Sequence, residues 1–140
     1  MARVLLETLN KYRFKTEIVV SINDINFAGH LGNEKILEFI NEARTRFFDE
    51  YKFDQMDENQ IGYIIADASI IFKSEVFYPD TVLVEADVTE FNKYGCDLVF
   101  RLSSAISKTE IAVAKTGMVF FDYNNRKVSK ITKNFMNIFE

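Results

Sequence analysis

One cysteine, one histidine, one proline and no tryptophan occur in the 140 residues, and each scarcity closes off a chemistry. A lone Cys96 can close no internal disulfide, and one His beside one Cys leaves no ligand set for zinc. No apolar run approaches the roughly 18 residues that a membrane-spanning helix needs, so no span is expected. An excess of positive charge is also missing. The formal net charge is −4 and the pI about 5.1, which argues against a nucleic-acid face and against an anionic membrane surface. The opening Met1 to Glu7 has neither the long apolar stretch nor the small-residue cleavage site of a signal peptide, and the cytoplasm is the expected compartment.

Aromatic rings are plentiful instead. Fourteen Phe and six Tyr must be buried in a core, an interface or an acyl-type pocket. The length suits one domain, 1–140, with a respectable core.

Residues 1–12 are mixed and read at most as a short helical turn. Phe14 to Ile22 is rich in β-branched residues and reads as a strand, with Thr16, Ile18, Val20 and Ile22 on one face. A long amphipathic helix then starts near Asn33, a good N-cap residue, and runs to Tyr51. Ile36, Ile40, Ala43, Phe47 and Tyr51 recur along it at three- and four-residue spacing. The polar run from Asp54 to Gly62 ends it.

Four further strands are expected: Tyr63 to Ser74, Thr81 to Phe91, Cys96 to Ser107, and Ile111 to Tyr123. Turns at Tyr78-Pro79-Asp80, Asn92 to Gly95 and Lys108-Thr109 separate them. In the first of these strands, alternation groups Ile64, Ala66, Ala68, Ile70 and Phe72. A short closing helix is expected between Ile131 and Phe139. Tightly connected strands are antiparallel, and one long helix must cover a face of their sheet, giving a two-layer α+β domain.

Between the first strand and the helix lies Ser21 to Asn33. This stretch holds the only histidine, His30, with Asp24, Asn26, Gly29 and Gly32 close by. A strand-to-helix junction aims unpaired backbone N–H groups at whatever sits above it. An imidazole, whose ordinary pKa is about 6.5, suits a general base; equally, His30 could merely pack in the turn. Asp24 and Asn26 are two apart and share a side in extended backbone. Either could act on a substrate, or fix the turn through a backbone hydrogen bond.

Asp24-Ile-Asn26-Phe-Ala-Gly29-His30-Leu-Gly-Asn33 resembles the Asp-x-Asp-x-x-Gly-His-Val-Asn-Asn turn of the hot-dog-fold acyl-CoA thioesterases, in the branch of 4-hydroxybenzoyl-CoA and acyl-ACP thioesterases. Asn41-Glu42-Ala43-Arg44 follows at the family's distance, and Tyr78-Pro79-Asp80-Thr81-Val82 is similar to its Gly-Asp turn. The resemblance covers Phe14 to the end. It implies a five-stranded antiparallel sheet wrapped around one long helix, and hydrolysis of an acyl-CoA or acyl-ACP thioester without metal or cofactor. It also implies a site shared across a homodimer. Val99, Met118 or Phe120, if on the outer sheet face, would allow a tetramer.

The resemblance places the catalytic set at Asp24, Asn26 and His30, and substrate-binding backbone at Gly29, Leu31, Gly32 and Asn33. The family's catalytic Asp falls on Asn26, and an amide is neither base nor nucleophile at neutral pH. Two other readings therefore stand beside the thioesterase. One is a non-catalytic domain that binds acyl thioesters or scaffolds an assembly. The other is a hydratase, whose Asp-x-Asn-Pro-x-His pattern is only partly matched. Lys73, Arg101 and Lys115 could meet CoA phosphates or simply be solvated.

Overall fold

The computed structural model describes residues 2–140. Its strands are β1 (Phe14–Val19), β2 (Ile61–Phe72), β3 (Thr81–Thr89), β4 (Gly95–Ser104), β5 (Glu110–Asp122) and β6 (Lys127–Val128). The helices are α1 (Asn33–Glu50) and α2 (Lys133–Phe139). The strands form one antiparallel sheet in the order β1-β3-β4-β5-β2, with the two-residue β6 paired to the end of β5. One long helix packed on a five-stranded antiparallel sheet is the arrangement that the resemblance implied. The sixth strand is an addition: the expected turn after Asp122 returns as a short hairpin. Its Asp122 carboxylate accepts from the backbone of Asn124 and Asn125 and from the Asn125 amide, and these bonds to Asn125 hold its carboxyl below the usual range.

The helix buries Ile36, Ile40, Ala43 and Phe47 of the stripe that its spacing predicts, with Phe39 and Phe48 beside them, while Tyr51 at its end is half-buried and Leu37 is exposed. These side chains meet the inner face of the sheet, where Val82, Val84, Ala86, Leu98 and Leu102 are all buried. Alternation in β3 is strict, as the residue pattern requires of a sheet with one face on a core. The N-cap differs from expectation: it is Gly32, with no side-chain cap bond, and Asn33 is already helical.

Alternation in β2 fails for a specific reason. Its register against β5 slips between Ile65 and Asp67, a bulge that adds one residue and reverses the faces beyond it. Tyr63, Ile65 and Ile70 pack on the core, while Ile64 is exposed, so the expected grouping of Ile64 with Ile70 does not hold.

The outer face also corrects the sequence reading. Met118 and Phe120 are 1% exposed and belong to the core cluster. Only Val99 of the three faces outward, where it lines a hollow shared with Val4, Leu5 and Leu9 of the N-terminal segment. That segment is not helical; it lies across the sheet. The Arg101 guanidinium stacks over the Tyr12 ring at 4.8 Å, and Arg13 binds the Asp87 carboxylate through its backbone N–H at 3.0 Å.

Cys96 is 2% exposed on the inner face, and burial, with Asp97 adding, pushes its thiol up to about 12. A buried thiol of that kind is not a nucleophile at neutral pH. Ellman's reagent is therefore expected to find no reactive thiol in the folded protein and one equivalent in guanidinium chloride; fast labelling of the native protein would contradict this packing.

Candidate active site

The strand β1 ends at Val19, and the chain turns through a short 3-10 segment at Ile22–Asp24. Asp24 is committed to that turn, its carboxylate accepting from the Ser21 backbone N–H at 2.9 Å and the Ser21 hydroxyl at 3.1 Å. Its carbonyl accepts from Gly32 N–H at 3.1 Å, which ties the turn to the start of α1.

A small hairpin follows. Ile25 pairs with Leu31, Asn26 N–H donates to the His30 carbonyl, and Phe27 stands fully exposed at the tip. The Asn26 side-chain oxygen accepts from Ala28 N–H at 2.9 Å, an Asx turn. Gly29 closes the tip at φ +85, a left-handed conformation that side chains disfavour.

The returning arm of this hairpin meets the connection between β2 and β3. His30 bridges to Phe77, and Leu31 N–H donates to the Val76 carbonyl at 2.7 Å. The imidazole sits edge-on to the Phe77 ring with centroids 6.4 Å apart. Its Nδ1 lies 3.0 Å from the Leu31 carbonyl oxygen. A carbonyl only accepts, so Nδ1 carries the proton in that bond and the Nε2 lone pair is left free. Nε2 lies 3.9 Å from the Glu75 carboxylate.

His30, Leu31 and Asn33 line a cavity of about 280 Å³ together with Glu75. Ile36, Phe72, Val76 and Ile111 give it an apolar wall. A second hollow of about 390 Å³ adjoins it, sharing Ser74, Glu75 and Ile111 and adding Phe77 and Tyr78. Asp24, Asn26, Gly29 and Gly32 are not among the lining residues of the first cavity. Lys35 N–H bonds to Gly32 O, leaving the N–H groups of Asn33 and Glu34 without an acceptor inside the helix. The Glu34 carboxylate folds back over Gly32, where a Cβ would come within 2.5 Å of it. A carboxylate at the positive end of a helix is favourably placed.

The chain belongs to the thioesterase-like superfamily. Its sequence model matches residues 20–139. The fold is similar to that of a 1,4-dihydroxy-2-naphthoyl-CoA thioesterase from Synechocystis, at 20% identity and TM-score 0.83, over 89% of this chain and 93% of that one. It is similar to a gentisyl-coenzyme A thioesterase at 19% identity and TM-score 0.80, over 91% and 100%. A DHNA-CoA thioesterase from Staphylococcus aureus shares 16% identity at TM-score 0.79, over 88% and 83%. No curated protein matches the chain in sequence. The hot-dog fold is thus established.

Motif residues along α1 of this thioesterase-like chain turn out to be ties. Glu42 pairs with Arg46 at 2.8 Å, and Arg46 also donates to the Thr16 hydroxyl and the Glu17 carbonyl of β1. Arg44 donates to Asn41 and to the Tyr63 hydroxyl, which itself donates to Gln55. Burial pushes that phenol above its ordinary range, and nearby Arg44 opposes the shift. Lys73, Arg101 and Lys115 each pair with a carboxylate, at 2.7, 3.0 and 2.9 Å respectively.

Glu75 is the site residue absent from the sequence reading. Nothing in Lys73-Ser74-Glu75 distinguishes it from an ordinary loop carboxylate. Only the bridge between His30 and Phe77 brings it to the imidazole, and that pairing is invisible to local periodicity.

Proposed function

We propose that this chain hydrolyses an acyl- or aryl-CoA thioester to the free acid and the thiol. The observation that carries the reading is His30. Its Nδ1 is engaged by the Leu31 carbonyl, and its ring lines an apolar-walled cavity against the first turn of α1. In this reading the thioester carbonyl oxygen takes hydrogen bonds from the free N–H groups of Asn33 and Glu34, where negative charge develops in the transition state. The Glu34 carboxylate, exposed and on a flexible stem, swings aside as the carbonyl enters. A water then attacks the carbonyl carbon, and Nε2 of His30 takes its proton. Asp24 and Asn26 serve by holding the turn that presents His30 and the helix end.

The acyl or aryl group lies against Phe72, Val76 and Ile111, in a space that suits a ring or a short chain. An acyl carrier protein is the alternative thiol carrier. The site works in a homodimer: β2 is an open sheet edge whose Ile64 and Phe72 are 36% and 49% exposed, and the Phe27 tip is fully exposed. The N-terminal segment across the outer face disfavours the sheet-to-sheet tetramer.

Thiol release from short, medium, long-chain and aryl CoA thioesters, and from acyl carrier protein, tests the reading. At least one is expected to turn over with kcat/KM of about 10⁴ M⁻¹s⁻¹ or more. No turnover by the unaltered chain, with turnover gained in Asn26→Asp, would instead mark a binding or scaffolding domain. The amide at position 26 is what favours that second reading. Hydration of crotonyl-CoA without cleavage would mark a hydratase.

A further inference from the structure

We infer that Glu75 supplies the carboxylate that position 26 lacks, by holding the attacking water jointly with His30. The inference rests on the hydrolase reading above and adds a residue from a different part of the chain.

Three observations converge on it. First, Glu75 and the free nitrogen of His30 face each other across 3.9 Å, too far for a direct hydrogen bond. Two acceptors at that separation, each about 2.8 Å from one water, subtend about 90° at its oxygen. That is near the angle between the water's own O–H bonds, so one water can donate to both and keep a lone pair for the carbonyl carbon.

Second, the backbone carrying Glu75 is pinned on both sides. Ser74 N–H donates to the Ile111 carbonyl, and the Ser74 hydroxyl to the Glu110 carbonyl at 2.7 Å. On the other side the Val76 carbonyl is held by Leu31 N–H. The carboxylate is thus presented to the cavity by a fixed stem, although its side chain is 63% exposed.

Third, the nearby cation is already spent. Lys73 pairs with Glu110 at 2.7 Å, and among the described residues Glu75 has no ion-pair partner but His30. An unpaired carboxylate beside the imidazole is free to accept from water, and then to pair with the imidazolium once it forms.

The step balances without any further reagent. The water oxygen forms the new C–O bond while its proton passes to Nε2 of His30. The C–S bond breaks, and the thiolate takes that proton back from the imidazolium. Glu75 accepts the second O–H of the water throughout and faces the charged ring between the two transfers. In the Glu75→Gln variant the amide can turn an N–H toward Nε2, occupying the lone pair the water needs.

The test uses the full chain and the best thioester of the panel, with Glu75→Gln, Glu75→Ala and Glu75→Asp. Glu75→Gln and Glu75→Ala are expected to lower kcat about 30-fold or more, in the range for one proton-handling group, with KM within about threefold. Glu75→Asp should retain more activity than either. Added formate is expected to restore Glu75→Ala at least about tenfold and to leave His30→Gln unchanged, a rescue that a merely structural carboxylate would not show. The double variant His30→Gln with Glu75→Gln should be no slower than the poorer single one, because both act on one water. Turnover kept within threefold in Glu75→Gln, or no formate rescue, overturns the inference and leaves the hydrolase reading intact. No turnover by the unaltered chain on any substrate overturns both.

Discussion

Exchanging His30 for glutamine is expected to lower kcat about 100- to 1,000-fold on the best thioester, with KM changed by no more than about threefold. The imidazole lines the cavity, and with Nδ1 engaged by the Leu31 carbonyl its Nε2 lone pair is free to take a proton from water. Glutamine fills similar space but cannot take a proton from water. The fold should notice little. His30 is held through its backbone, by Asn26 N–H to its carbonyl at 2.9 Å and by the bridge to Phe77. What the ring itself contributes is one hydrogen bond and one edge-on contact, together worth on the order of 1 kcal/mol. Thermal unfolding and single-turnover kinetics, measured on the same preparation, separate the two effects. A fall in kcat under about fivefold would show that the proton goes elsewhere.

The turn that carries His30 is only half legible in the sequence. Gly29-His30 and the helix start behind it stand out because a lone histidine, a glycine turn and the onset of a long amphipathic stripe are all local features. The stripe from Ile36 to Phe48 and the alternation of Val82, Val84, Ala86 and Val88 are local too, and each lies where its period puts it. Features that depend on pairing between distant segments were hidden. The slip between Ile65 and Asp67 reverses the faces of β2 through its register with β5, which no period-two count can register. Met118 and Phe120 face inward because the register of β5 on β4 sets Met118 opposite the core residue Cys96, and Phe120 two residues on shares its face. Glu75 reaches His30 for the same kind of reason. Its neighbour Val76 is bonded to Leu31, an antiparallel contact between two loops that carry no strand pattern.

The same distinction between local and distant interactions explains why the aromatic excess matters, and it leads to the largest expected effect on stability. Phe48→Ala should cost about 3–5 kcal/mol and lower the melting temperature by about 10–15 °C for a chain of this size. Phe48 is fully buried, and its ring meets those of Phe47, Phe53, Tyr63, Phe135 and Phe139 at centroid distances of 5.1 to 6.1 Å. Those partners come from α1, the loop after it, β2 and α2, so one ring joins four segments. The seven-residue α2 depends on it most, being too short to hold its helix in water without docked Phe135 and Phe139. Amide exchange over 133–139 is therefore expected to quicken more than exchange in β3 or β4. Leu37→Ala, on the same helix but 38% exposed, is the control and should move stability by less than about 0.5 kcal/mol. A melting-temperature loss under about 3 °C for Phe48→Ala would mean that the cavity refills and that the aromatic cluster is not the keystone of the packing. Phe48 lies about 18 Å along the helix from Ile36, at about 1.5 Å per residue, and so far from the cavity at His30. Below its lowered melting point the variant should keep near-normal kcat, because the turn that presents His30 is held by Asp24, Asn26 and Val76 and by none of these rings.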